Sequence, residues 1–226
     1  MTKKLYLLCI AIVFASGFSI TVTAETKNFL KPFKHTYNLS VKSFINLSGK
    51  LSRELKLVNH HQNKWQFTVS SEASFGLNSK LISHFILDNR QHIHSVQLTE
   101  KKPGFSSGKA DTMAFGYTDY ALLDKANIQI QLRQDLRNGL DINKLSYKIW
   151  QGDKYKTYRF RKIGTENLTT PAGKFNTLLI ERLVSTADKQ KNHKRLFWFA
   201  PDKDYLLVKY YQKNKDTTYS AVLAEY

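Results

Sequence analysis

Two histidines two residues apart, His92 and His94, form the most suggestive chemical pair in this chain. On a strand they project from one face about 7 Å apart, a spacing compatible with a shared metal ion. A site of that kind needs a third ligand. His84 lies across a turn at Asp88-Asn89-Arg90 and is the first candidate, with His60 and His61 behind it. The plainer account of the same residues is polar strand positions on a solvated face.

Other reaction chemistry finds less support. The one cysteine, Cys9, falls in the apolar N-terminal run, and no serine sits in a Gly-x-Ser-x-Gly elbow. Phosphate-cradling glycine loops are absent, so nucleotide chemistry has no footing. Asp135, Asp141, Glu166 and Glu181 could supply a hydrolytic carboxylate pair, yet each has an ordinary role open to it in a turn or beside an arginine. No catalytic residue is assigned, no cofactor is expected, and the chain reads as a non-enzyme.

Aromatic supply is more informative. Trp150, Tyr158 and Phe160 alternate with Lys154, Lys156, Arg159, Arg161 and Lys162 across a hairpin, and Tyr158 and Phe160 are placed on opposite faces. Such interleaving suits sugars, anionic lipids or bases, and equally a core face backed by a solvated basic one. Trp65, Phe67, Phe160, Phe197 and Phe199 are the candidates to line a concave apolar surface.

The elements that must carry these residues have a period of two. Tyr37, Leu39 and Val41, then Leu51, Leu55 and Leu57, then Trp65, Phe67 and Val69 alternate with polar neighbours, indicating three early strands. Ser83–Leu87 and His92–Leu98 make a hairpin about the Asx turn at Asp88. Lys101–Lys109, with Pro103, Gly104, Ser106, Ser107 and Gly108, is the best loop. A short strand at Met113–Tyr117 and a weak helix or turn at Tyr120–Ala126 follow. Ile128, Ile130 and Leu132 alternate with Gln129, Gln131 and Arg133 and predict another strand, reversed at Asn138-Gly139. Lys144–Trp150 and Lys156–Lys162 flank a turn at Gln151-Gly152-Asp153, Thr170-Pro171-Ala172-Gly173 suits a type I turn, and Phe175–Arg182, Leu196–Phe199, Tyr205–Tyr211 and Thr217–Leu223 complete the set.

About a dozen strands in sequence predict an all-β antiparallel sheet, strongly curved into a barrel or half-barrel because a flat sheet of that width leaves costly edges. A two-sheet sandwich is the alternative. The 226 residues, with 42% hydrophobic content and no repeat or linker, favour one domain over 25–226.

Residues 1–24 have the grammar of a cleavable export signal: Lys3 and Lys4, the apolar run Leu5–Phe18, and Val22-Thr23-Ala24 as cleavage site. The apolar run is shorter than the roughly 20 residues that span a bilayer. Cleavage removes two lysines and no acid, so the net charge falls by two, from +17 to +15, and no thiol remains. Export to a periplasm makes nucleic acid an unsuitable partner for that charge.

The second half resembles a known family. Arg133-Gln134-Asp135-Leu136 leading to Gly139, Gly164-Thr165-Glu166-Asn167-Leu168 closing on Thr170-Pro171-Ala172-Gly173-Lys174-Phe175, then Glu181-Arg182, Phe197-Trp198-Phe199-Ala200-Pro201 and Leu223 look like the Gram-negative periplasmic proteins grouped as domain of unknown function thirty-one-oh-eight. The resemblance runs over roughly 35–226 and is strongest from 130 onward. It implies a periplasmic β protein and no assigned activity. In these motifs Glu166 is expected to accept backbone N–H bonds that pin the following turn, and Phe197-Trp198-Phe199 to supply core area.

Two functions are consistent with these observations. One is a binding module whose concave face takes a lipid, lipopolysaccharide or acidic glycan, with the basic surface drawn to an anionic membrane. The other is an assembly protein that meets an envelope protein through a sheet edge.

Overall fold

The computed structural model describes residues 30–74, 77–102, 111–115, 122–150, 155–183 and 193–226. The expected signal peptide, most of the 101–109 loop and the turn at Gln151-Gly152-Asp153 lie outside the described residues.

Alternating burial along the strands sets the architecture. In β1 (Phe33–Lys42) His35, Tyr37 and Leu39 are buried while Lys34, Asn38 and Lys42 face solvent, so one face must be covered. β1 is followed by β2 (Asn46–Asn59), β3 (Lys64–Ala73), β4 (Leu77–Leu87), β5 (Ile93–Lys101) and β6 (Asp111–Ala114), and later by β7 (Ser146–Trp150), β8 (Tyr155–Thr170), β9 (Gly173–Leu183), β10 (Lys194–Ala200), β11 (Leu206–Asn214) and β12 (Thr217–Glu225). Burial alternates again in β2, β3, β4, β7 and β12, whereas β5, β10 and β11 each carry three or more consecutive buried residues. These twelve strands form one antiparallel sheet in the order β6-β5-β4-β3-β2-β1-β12-β11-β10-β9-β8-β7. It is two meanders of six strands joined where β1 pairs with β12. The sheet curls without closing, which realises the expected half-barrel; a sandwich would divide these strands between two sheets.

Curvature has local causes. Register irregularities at Leu57/Asn59, His84/Phe85, Lys162/Gly164 and Trp198/Phe199 bend the strands that carry them. At Gly49, opposite Ala73, a Cβ would lie 2.0 Å from the carbonyl oxygen of Glu72. Only glycine permits that approach of β2 to β3.

Residues 128–137 are the main departure from the expected strands. They form a helix, α1 (Ile128–Arg137), in which Ile128, Ile130, Gln131, Leu132, Gln134, Asp135 and Leu136 are all buried. A helix covered on nearly every side needs no single apolar stripe, so its alternation imitated a strand. Its polar positions Gln129, Arg133 and Arg137 recur every four residues and remain partly exposed, which is the helical signal. Gly139 follows at φ 73°, the left-handed conformation that ends a helix. The short strand after the loop is Asp111–Ala114. Tyr158 and Phe160, two apart on β8, share a face and line one cavity; their assignment to opposite faces is corrected by the two-residue period itself.

α1 packs inside the curve. Ile130, Leu132 and Leu136 join Leu55, Trp65, Phe67, Phe85, Ile93, Ile149 and Phe199 in one core. Each such side chain, fully buried, contributes roughly 1.5–3 kcal/mol.

The chain also spans the gap between the two sheet edges. Residues 122–124 lie between β5 and β7: Ser95 N–H donates to Leu122 O at 2.8 Å, Leu123 N–H to Lys148 O at 3.3 Å and Trp150 N–H to Leu123 O at 3.0 Å. Beneath this strap the buried Asp124 carboxylate accepts from Ser83 Oγ (2.6 Å), Ser95 Oγ (3.3 Å), Asn127 Nδ2 (3.1 Å) and the N–H groups of Ala126 (2.7 Å) and Asn127 (2.9 Å). Burial pushes its pKa up, and the hydroxyls of Ser83 and Ser95 and the N–H groups of Ala126 and Asn127 work in the opposite direction.

Candidate functional site

The concave face has a filled part, under α1, and an open part toward the tips of the β1–β2 and β11–β12 hairpins. In the open part the inward row Arg195, Gln212, Tyr219, Val41 and Leu47 crosses five strands as successive partners. The next row brings Ile180, Phe197, Tyr210, Ala221 and Leu39 together in the same way. Leu39, Val41, Leu47, Leu51 and Val69 form the apolar wall of a trough of about 530 Å³, with Ser71, Ser79, Glu100 and Gln212 as its polar groups. That volume falls in the range of about 300–1,000 Å³ usual for small-molecule sites.

Tyr210 lines the trough and also a second cavity of about 140 Å³, bounded by Tyr158, Phe160, Phe197, Leu132, Lys125, Arg182 and Arg195. The register that pairs Leu196 with Glu181 sets Arg195 opposite Arg182 on the neighbouring strand. Neither arginine has a carboxylate partner among the described residues. The Arg182 guanidinium carbon sits 4.0 Å from the centre of the Tyr158 ring, and its buried Nε has no hydrogen-bond partner. Burial and Arg195 both lower the Arg182 pKa, against the opposing influence of Tyr158 and Tyr210.

Of the aromatic residues singled out as candidate ligand contacts, Tyr158, Phe160 and Phe197 come together at this cavity. Trp65, Phe67 and Phe199 do not line it: they are 1%, 0% and 1% exposed in the core under α1, a core to which Phe160 and Phe197 also belong. Trp150 stands apart at the strap, its ring 4.6 Å from that of Tyr155, beside Leu98, Met113 and Lys125.

The histidines divide. His92 Nδ1 lies 3.5 Å and His94 Nε2 3.1 Å from Asp88 Oδ2, whereas His84 Nε2 is 3.0 Å from Gln66 Oε1. His84 is thus not brought to the other two. Asp88 Oδ1 accepts from the N–H groups of Arg90 and His92, both at 2.8 Å, as an Asx turn does. Burial raises the Asp88 carboxyl, but these bonds with those of His94 outweigh it and hold the pKa below the usual carboxylate range.

The four carboxylates considered for catalysis are each engaged. Tyr147 OH donates to Asp135 Oδ2 at 2.6 Å, Asn143 N–H to Asp141 Oδ1 at 3.0 Å, Trp198 Nε1 to Glu166 Oε2 at 2.6 Å, and Arg161 Nε to Glu181 Oε2 at 2.8 Å. Glu166 therefore holds an indole. The following turn is pinned by Thr170 Oγ1, which accepts from Ala172 N–H at 3.1 Å.

Sequence reasoning missed Arg53 and His35, opposite each other on β2 and β1. Arg53 is 6% exposed, donates to Tyr37 OH at 3.1 Å and lies 5.2 Å from the Phe67 ring centre. His35 stacks on Phe33 at 4.3 Å, and burial, then Arg53 and Arg133, lowers its pKa to about 3. Position on an alternating strand was the available signal, since both fall on the inward register.

The family described as Protein of unknown function (DUF3108) matches residues 84–221. This chain belongs to the DUF3108 family. The match runs from β4 to β12 and takes in the strap, α1, Arg182 and Arg195. It begins earlier than residue 130, where the resemblance was strongest in sequence. No curated protein matches the chain. Among solved structures, it is similar to a β-barrel-like protein of domain of unknown function DUF1849 from Brucella abortus, at 8% identity and a TM-score of 0.51, covering 87% of this chain and 97% of that one. At that identity the likeness concerns the fold alone, and it agrees with the half-barrel. A protein with a YmcC-like fold from Bacteroides fragilis matches at 11% identity and a TM-score of 0.36, covering 85% of this chain and 93% of that one.

Proposed function

We propose that this DUF3108 protein is exported to the periplasm and binds, without transforming, an apolar or amphipathic molecule of the cell envelope in the trough of its half-barrel. The observation that carries the reading is the trough itself: about 530 Å³, walled by Leu39, Val41, Leu47, Leu51 and Val69, on a face whose other part is tightly filled. A sheet of this kind could pack its whole concave face, and here the inward residues toward the hairpin tips are small or only half-buried. Binding without reaction is supported by the engagement of Asp135, Asp141, Glu166 and Glu181 with structural partners.

The rim supports an envelope setting. Phe44, in the turn joining β1 to β2, is 97% exposed and its neighbour Ile45 46% exposed, next to the trough residues Val41 and Leu47. An apolar tip on a protein whose net charge is +17, or +15 once residues 1–24 are cleaved, suits an anionic membrane surface.

Native mass spectrometry of the protein purified from a Gram-negative envelope without detergent tests the proposal. A reproducible non-covalent lipid or glycan adduct, lost on unfolding, is the expected result. Repeated recovery of the bare chain would overturn it.

A further inference from the structure

We infer that the ligand is an amphiphile with an anionic head, carboxylate or phosphate, held between Arg182 and Arg195 while its apolar tail lies in the trough. This rests on the reading of the trough as a binding site and adds the chemical class of what enters it.

Two cations set opposite each other on neighbouring strands repel and normally destabilise a sheet. Arg195 and Arg182 are so placed on β10 and β9, and among the described residues neither has an acidic partner to offset the repulsion. The third cation at the cavity, Lys125, is engaged by Glu100 at 2.5 Å. Arg182 is also immobilised: its guanidinium lies over Tyr158, leaving a buried Nε with nothing to donate to. A buried guanidinium with a free donor leaves a desolvation cost that an anion would recover, because a charge-assisted hydrogen bond is about twice as strong as a neutral one. Two guanidinium groups lining one cavity offer the planar, forked donors that a carboxylate or a phosphate accepts from.

The position suits an amphiphile better than a free ion. The cavity of about 140 Å³ beneath the arginines is walled by Phe160, Phe197 and Leu132, and Tyr210 borders both it and the trough. Gln212, which accepts from Tyr210 OH and pairs directly with Arg195, is also a trough residue. A chain bound at the arginines by its head therefore has an apolar path to Val41 and Leu47.

The test is calorimetric titration of delipidated full-length mature protein with four probes: hexadecanoate, hexadecyl phosphate, hexadecanol and inorganic phosphate. The first two should bind about ten-fold or more tightly than hexadecanol, the size of preference that charge-assisted bonds supply. Arg182→Met and Arg195→Met should abolish that preference, bringing the affinity for the two charged probes down to that for hexadecanol in the same variant. Equal affinity of wild type for the charged and neutral probes would overturn the anionic head and leave the trough reading standing. Inorganic phosphate binding as tightly as hexadecyl phosphate would overturn the amphiphile. Failure of all three long-chain probes to bind would overturn the trough reading and this inference with it. The wild-type comparison does not depend on either variant folding.

Discussion

The two parts of the concave face are built by the same strands from different side chains. Under α1, β2 to β4 present Leu55, Trp65, Phe67 and Phe85, each at most 1% exposed. Farther along, the same β2 and β3 present Leu47, Leu51, Val69, Ser71 and Ala73 to the trough. Strand geometry is common to both parts, so side-chain size and the reach of one helix decide which is core and which is trough. One sheet can thus hold its stability at one end and keep the other available for a ligand.

The sharpest challenge to that division is a pair of truncations. Trp65→Ala should cost about 3–5 kcal/mol, as large core truncations do, whereas Leu47→Ala at the mouth should cost about 1 kcal/mol or less. Urea denaturation measures both, and equal losses would break the comparison. Asp124→Ala comes next. It leaves the hydroxyls of Ser83 and Ser95 and the backbone N–H groups of Ala126 and Asn127 without their acceptor, an expected loss of about 1–3 kcal/mol by the same measurement. A neutral result would mean that the strap contributes nothing to the filled part.

A pH titration probes the boundary between the two parts, where His35 lies beside Arg53. Its folded pKa of about 3 is below the ordinary 6.5, so the unfolded chain takes up the proton first. The stability from neutral His35 is complete above pH 6.5 and is lost as the pH falls toward 3. His35→Gln should flatten the denaturation midpoint across that window; an unchanged slope would place the pH dependence elsewhere. The smallest effect on stability is expected at the rim. Phe44→Ser should shift it by no more than about 0.5 kcal/mol yet reduce co-flotation with anionic vesicles, and undiminished flotation would remove the tip from membrane contact.

Much of this fold is legible in the residues. Alternation at Tyr37, Leu39 and Val41 and in the strands that follow marks which side chains point inward, and a dozen such runs imply a curved sheet. Alternation does not reveal what lies over an inward residue, which is why Trp65 and Phe67 looked as suitable for a ligand as Phe160 and Phe197. The missing object was α1, concealed because Gln131 and Gln134 are buried polar residues, Gln131 Oε1 accepting from Ile93 N–H at 2.8 Å and Gln134 Nε2 donating to Gln91 O at 3.4 Å. The arginine pair was hidden for another reason. Arg182 follows Glu181 and Arg195 follows Lys194 in sequence, and only the register of β9 against β10 brings the two arginines to one cavity while Glu181 pairs with Arg161.

The central claim is that the open trough is where an amphiphile binds. Crystals of the mature protein grown with an ω-brominated long-chain carboxylic acid would locate the tail end of such a ligand through the anomalous signal of bromine and its head through the electron density. The account requires the bromine between Leu39, Val41, Leu47 and Leu51, with the carboxylate at Arg182 and Arg195. Bromine on the convex surface or in the gap beside the strap, with the trough empty, would contradict it.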